Sequence, residues 1–167
     1  MPTPRVEQRA AQPYLAIAGR VTVRDIPAFA DRTPEVFAFL AARGVEPAGP
    51  PFFRYHVVDM ARELELEVAV PVDDAAGIDL AGAGEVTAGT VPAGRYATVT
   101  HVGPFDELVG ATADLLAWAA REGLRWDVTD TPDGQRWGAR LEVYHTDPRE
   151  EPDPARYETE LAFRLAD

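Results

Sequence analysis

The chain has no cysteine and no serine. The first absence excludes disulfides, thiolate zinc centres and cysteine nucleophiles, and it fits a reducing compartment. The second excludes serine nucleophiles. No apolar run approaches the roughly 18 residues of a membrane span, and the opening MPTPRVEQRA lacks the apolar core of a secretion signal. A cytoplasmic protein with no membrane partner is expected. Basic residues are few, 16 against 28 acids, for a net charge of -12. A field of that sign repels polyphosphate, so no direct nucleic-acid binding is expected, and acidity of this size serves solubility first. His56, His101 and His145 are far apart, and none has an i, i+4 partner or a metalloprotease glutamate motif. All three read as structural or surface residues, with no metal site and no cofactor. Gly82-Ala83-Gly84 lacks the third glycine, the preceding strand and the following helix of a nucleotide loop.

What is present is globular: 46% hydrophobic and 9% aromatic residues in a chain of 167. That length suits one domain, or two fused halves of about 80 residues each. Residues 1–12 read as a flexible N-terminal tail. A strand follows from Tyr14 to Val23, with a glycine bend at Gly19. Thr33-Pro34-Glu35 reads as a helix entry, with a capping threonine and proline at the first helical position. That helix buries Val36, Phe37, Leu40 and Ala41 and stops at Arg43-Gly44. Phe52–Val58 and the strict alternation Glu63–Val70 give two more strands, ending at Pro71. Residues 73–90, rich in Asp, Gly and Ala, read as a connector.

The second half repeats the first. Tyr96–Val102 is a strand, and a helix from about Phe105 to Glu122 presents Leu108, Ala111, Leu115 and Ala119 before Gly123. Strands over Trp137–His145 and Tyr157–Leu165 close the unit. Tyr55-His56 matches Tyr144-His145, and Glu65-Leu66-Glu67 matches Glu158-Thr159-Glu160. The expected fold is α+β: a tandem, pseudo-twofold β-α-β-β repeat with half-repeats 13–72 and 91–167 and one main helix per half. Two small antiparallel sheets would enclose a central ligand cleft.

Alternation over residues 137–145 puts Ala139, Leu141 and Val143 on one face and Arg140, Glu142 and Tyr144 on the other. Under the Tyr-His alignment, Phe53 is the counterpart of Glu142. Glu142 is then either a solvated strand carboxylate, paired with Arg54 or Arg140, or an acid in the wall of an aromatic cleft. Glu65, Glu67, Glu158 and Glu160 read as a solvated acidic rim. Trp118 and Trp126 read as core, while Trp137 is a candidate ligand wall.

The ordered set Gly49-Pro50-Pro51 with Phe53-Arg54-Tyr55-His56, Glu63 to Pro71, Val91-Pro92-Ala93-Gly94, His101-Val102-Gly103-Pro104-Phe105, Glu142-Val143-Tyr144 with Asp147-Pro148, and Tyr157-Glu158-Thr159-Glu160-Leu161 resembles the GyrI-like small-molecule-binding family. That family also supplies effector domains of multidrug-sensing bacterial regulators. The resemblance covers residues 14–165. It implies the same duplicated fold as one domain over 13–167, and a cavity for lipophilic, often cationic, aromatic compounds, with Glu142 inside it. The chain departs from the pattern in two places: no helix-turn-helix precedes residue 14, so a stand-alone domain is expected, and the last strand ends Arg164-Leu165.

Two functions follow from different classes, and a third stands below them. The first is binding of hydrophobic, neutral or cationic aromatic molecules by Glu142, Tyr144, Tyr55, Phe53, Trp137 and Tyr96, for sensing or sequestration. The second is hydrolysis of strained cyclopropane-type alkylating compounds, as the resemblance to stand-alone members implies, with Glu142 and Tyr144 catalytic. The third is an acidic interaction module for a basic partner such as gyrase. A monomer and a homodimer are equally compatible with the sequence.

Overall fold

In the computed structural model, which describes residues 2–167, ten strands and three α-helices follow one another along the chain. They run β1 (Arg5–Arg9), β2 (Gln12–Val21), α1 (Ile26–Ala30), α2 (Thr33–Ala42), β3 (Phe52–Val58), β4 (Leu64–Pro71) and β5 (Val86–Val91). Then come β6 (Gly94–Val102), α3 (Leu108–Arg121), β7 (Val128–Thr131), β8 (Gly134–Trp137), β9 (Arg140–Tyr144) and β10 (Glu158–Arg164). The α+β duplication is present: β2, α2, β3 and β4 form one unit, and β6, α3, β9 and β10 the other. Both main helices end where a glycine takes up the left-handed region, Gly44 at φ 67° and Gly123 at φ 70°.

The two half-sheets are not separate. They join edge to edge through β3 and β9 into the order β1-β6-β10-β9-β3-β4-β2-β5, entirely antiparallel along that path. The expected pair of facing sheets is therefore corrected to one continuous sheet. The physical reason is that β3 and β9 satisfy each other's ladder groups, which two facing sheets would leave as exposed edges. The sheet is also strongly curled. A flat sheet would separate β6 from β5 by six steps, about 29 Å, yet only Pro92 and Ala93 join them, a span of at most about 11 Å. The inside of the curl is filled by Tyr14, Phe52, Tyr96 and Leu141 among alanines 16, 69, 139 and 162. The outer face carries the larger core, in which Val36 and Leu40 of α2 and Leu108 and Leu115 of α3 are buried.

Three further expectations change. Residues 5–9 are not a free tail but strand β1, laid along β6 from Arg5 opposite Thr98 to Arg9 opposite Gly94. The end of the presumed connector, Val86–Val91, is strand β5 on β2. Both are short edge strands; β1 is mostly polar and β5 is built of Val, Thr, Ala and Gly, so neither carries a sustained hydrophobic alternation. Thr33 does not cap α2: it is the first helical residue, and its hydroxyl donates to the Ala30 carbonyl. Ala41 is exposed and Phe37 half-buried, so α2 rests on the sheet through Val36 and Leu40. Among the described residues, no helix is long and apolar enough to cross a membrane.

Candidate functional site

Each helix covers its own half, α2 on β2 and β4 and α3 on β6. The outer face of the two central strands lies between them. On β3 that face carries Phe53 and Tyr55, because Phe52 and Arg54 point into the curl. On β9 it carries Arg140, Glu142 and Tyr144. The single strand expected over 137–145 is broken at Gly138, whose amide donates to the Asp127 carbonyl at 2.8 Å. That bend moves Trp137 to the outer face, where its ring lies 5.5 Å from Phe163, whereas strict alternation would have placed it with Ala139.

Glu142 is the chemical centre of this recess. The Tyr144 hydroxyl donates to its Oε1 at 2.8 Å and the Tyr55 hydroxyl donates to the same oxygen at 3.0 Å. Protein surrounds the carboxylate closely, yet Glu142 and Tyr144 both keep an intermediate solvent exposure in the gap that α2 and α3 leave over the central strands. Burial pushes the Glu142 carboxyl above the usual carboxylate range, and the two tyrosine bonds and Arg140 only partly counter it. Burial and the facing carboxylate push both Tyr55 and Tyr144 well above the usual phenol range. The rings form a chain of edge contacts: Tyr55 to Phe53 at 6.1 Å, Phe53 to Tyr144 at 5.2 Å, and Tyr144 to Phe105 at 5.7 Å.

Five of the six expected ligand residues, Glu142, Tyr144, Tyr55, Phe53 and Trp137, thus meet on one face. Tyr96 does not join them. Its side chain lies inside the curl, with no exposed surface, and its hydroxyl donates to the Pro92 carbonyl at 2.6 Å. Two residues of the recess were not among the candidates. Arg140 shares parity with Glu142 on one strand, so alternation could have named it. Phe105 sits 42% exposed beside Tyr144, in the stretch His101–Phe105.

A second polar cluster lies on the opposite face. Glu67, expected in a solvated rim, is 8% exposed. It accepts from the Tyr14 hydroxyl at 2.6 Å and is 2.5 Å from His56 Nε2, while Arg54 donates to Tyr14 and to two backbone carbonyls. Burial pushes the Glu67 carboxyl up, but the bonds from His56 and Tyr14 outweigh it and hold it below the usual range. His145 faces Glu160 in the same way at 3.5 Å, as the repeat requires. Two surface hollows, of about 90 and 510 Å³, lie away from both clusters, one lined by Arg62 and Glu65 and the other by Phe39 and Val86. Neither gathers the strongly perturbed acid and ring walls that mark the Glu142 recess. Among the described residues, no group of three or more His, Asp or Glu is placed to hold a metal ion.

The model of the GyrI-like small molecule binding domain matches residues 2–166. Among solved structures, the EcmrR chain of an EcmrR–DNA complex superposes with a TM-score of 0.77 at 18% identity, covering 99% of this chain and 58% of that one. This chain therefore spans a little over half of that EcmrR chain. SAV2435 bound to tetraphenylphosphonium gives 0.67 at 10% identity, covering 98% of this chain and 94% of that one. A hydrolase from Listeria innocua gives 0.64 at 18% identity, covering 98% and 91%. At such identities the likeness speaks for the fold. No curated protein matches the chain significantly.

Proposed function

Since the chain belongs to the GyrI-like small-molecule-binding family, we propose that it binds hydrophobic aromatic molecules, neutral or cationic, in the recess over β3 and β9, with Glu142 as the polar anchor. The observation that carries this reading is the one-sided bonding of that carboxylate. Both tyrosine hydroxyls are spent on Oε1, and Oε2 is left to meet a donor or a cation from the recess. Phe53, Tyr55, Tyr144 and Phe105 supply ring faces and edges around it. SAV2435, similar in fold, has been solved with a lipophilic cation, which supports the ligand class. Titration with a lipophilic aromatic cation should quench tryptophan fluorescence with a Kd on the order of 1–100 μM. Glu142→Gln should weaken the cation about tenfold and a neutral analogue less than about twofold. Equal losses for both ligands would remove the anchor role.

A second reading, hydrolysis, is favoured by one observation: the raised Glu142 carboxyl lies beside two phenols, a pairing that suits general acid catalysis. In a strained cyclopropane conjugated to a carbonyl, Glu142 in its acid form would protonate the carbonyl oxygen as water attacks a ring carbon. The ring C–C bond breaks, the attacking water's proton returns to the carboxylate, and the enol relaxes to the ring-opened ketone. Tyr144 would steady Oε1 throughout. Mass spectrometry of a cyclopropane alkylator incubated with catalytic protein tests this; stoichiometric binding without a hydrated product rejects it.

A further inference from the structure

The recess contains a cation of its own. The Arg140 guanidinium lies 4.7 Å from the Phe163 ring centre, 5.0 Å from Trp137 and 5.7 Å from Tyr55. Three rings about a cation make the kind of cage that recognises ammonium and phosphonium groups. Here the protein's own side chain fills it.

Arg140 is also poorly partnered. Its Nε is buried without a hydrogen-bond acceptor, and so is Nε1 of Trp137 beside it. Its interaction with Glu142 is through space, without a hydrogen bond. A buried donor left unmet is costly until something accepts from it. When Glu142 is ionised, its charge and that of Arg140 cancel on this face. An entering cation would therefore meet an attracting oxygen, a repelling guanidinium and a ring cage that Arg140 already fills. An oxygen acceptor on the ligand would meet the opposite: a charged donor that has no partner.

We infer that Arg140 selects the ligand: the recess takes aromatic molecules that carry a strong oxygen acceptor, such as a carbonyl, phosphoryl or carboxylate group, and discriminates against lipophilic cations that lack one. This rests on the proposed role of the recess as the binding site, and it narrows the ligand class from neutral or cationic aromatics to acceptor-bearing ones.

The test uses two probes with the same three phenyl rings: triphenylphosphine oxide, neutral with one phosphoryl acceptor, and methyltriphenylphosphonium, a cation with none. Calorimetric titration of the full chain should show the oxide binding at least about fivefold more tightly. Arg140→Met keeps the apolar stem and removes the charge and the donors. It should strengthen the cation roughly tenfold and weaken the oxide at least about threefold. Arg140→Lys keeps the charge without the Nε donor or the planar fork, so it should leave the cation within about twofold of wild type and still weaken the oxide. A cation-to-oxide ratio that moves less than about twofold in Arg140→Met overturns the inference while leaving the binding reading intact. If that variant does not fold, an unchanged oxide affinity in Arg140→Lys overturns it instead. If neither probe binds wild type or variant, the binding reading falls, and this inference with it.

Discussion

Phe53 and Glu142 are partners across β3 and β9, and they are also each other's counterparts in the two half-repeats. Phe53 lies opposite Val68 of β4 just as Glu142 lies opposite Leu161 of β10, so the pseudo-twofold axis passes between them. The duplication is broken at its own centre, with a ring on one side and a carboxylate on the other. That asymmetry gives the recess a polar end and an apolar end on adjacent strands, within reach of one bound molecule.

Restoring the symmetry with a second acid should be costly. Phe53→Glu sets two carboxylates directly opposite each other on a largely enclosed face, where like charges destabilise and one must take up a proton. The melting temperature at pH 8 should fall by about 5–10 °C, and the loss should shrink toward pH 5 as the pair shares a proton. A melt unchanged at pH 8 would show that the face is as wet as bulk solvent.

Glu142 itself holds a charge the fold would rather do without. Its folded-state carboxyl lies above its unfolded value, so between those two values the native state binds more protons, and stability falls as pH rises through that window. Above the window the cost is fully present. Glu142→Gln, whose amide oxygen can still accept from Tyr55 and Tyr144, should raise the melting temperature at pH 8 by roughly 2–4 °C, the shift that about 1 kcal/mol produces in a domain of this size. At pH 4 the gain should vanish. A variant less stable than wild type at pH 8 would mean that the ionised acid is well compensated.

On the opposite face the same change should have the opposite sign. The Glu67 carboxyl is held below its unfolded value, so it contributes stability that is present above the unfolded carboxylate range and is lost as pH falls through the folded value. Glu67→Gln weakens the short contact to His56 and the bond from Tyr14, and urea unfolding at pH 7 should show a loss of about 1–3 kcal/mol. Near pH 3 wild type and variant should converge. A constant difference across that range would assign the loss to packing rather than charge.

How much of this was legible in the sequence follows from the range of the forces involved. The two-residue period of β3 and β9 is local, so it placed Phe53, Tyr55, Glu142 and Tyr144 on common faces, and the internal repeat aligned the two faces. The β3–β9 pairing and the curl are long-range, and they decide what each face meets. Tyr96 was expected among the ligand residues; the curl turns it inward, onto the Pro92 carbonyl. Glu67 looked like a surface acid in an alternating strand, and the same curl buries it between Tyr14 and His56. Arg140 had the right parity all along, but it looked like a partner for Glu142 rather than a cation caged by rings from β3, β8 and β10.

Removing one hydroxyl from the recess separates the acid's tuning from its packing. Tyr144→Phe keeps the ring between Phe53 and Phe105, at 5.2 and 5.7 Å, and deletes the 2.8 Å bond to Oε1. Tyr55 remains as the only phenol donating to that oxygen. With one of its charge-stabilising donors gone, the Glu142 carboxyl should move further up, so binding of a cationic aromatic should require a higher pH in the variant than in wild type. On the acid side of that titration the cation affinity should fall by about tenfold or more, the effect of losing one hydrogen bond to a charged group, while at alkaline pH, with the acid ionised in both, the two proteins should bind alike. An affinity loss independent of pH would place the hydroxyl against the ligand directly and not in control of the acid.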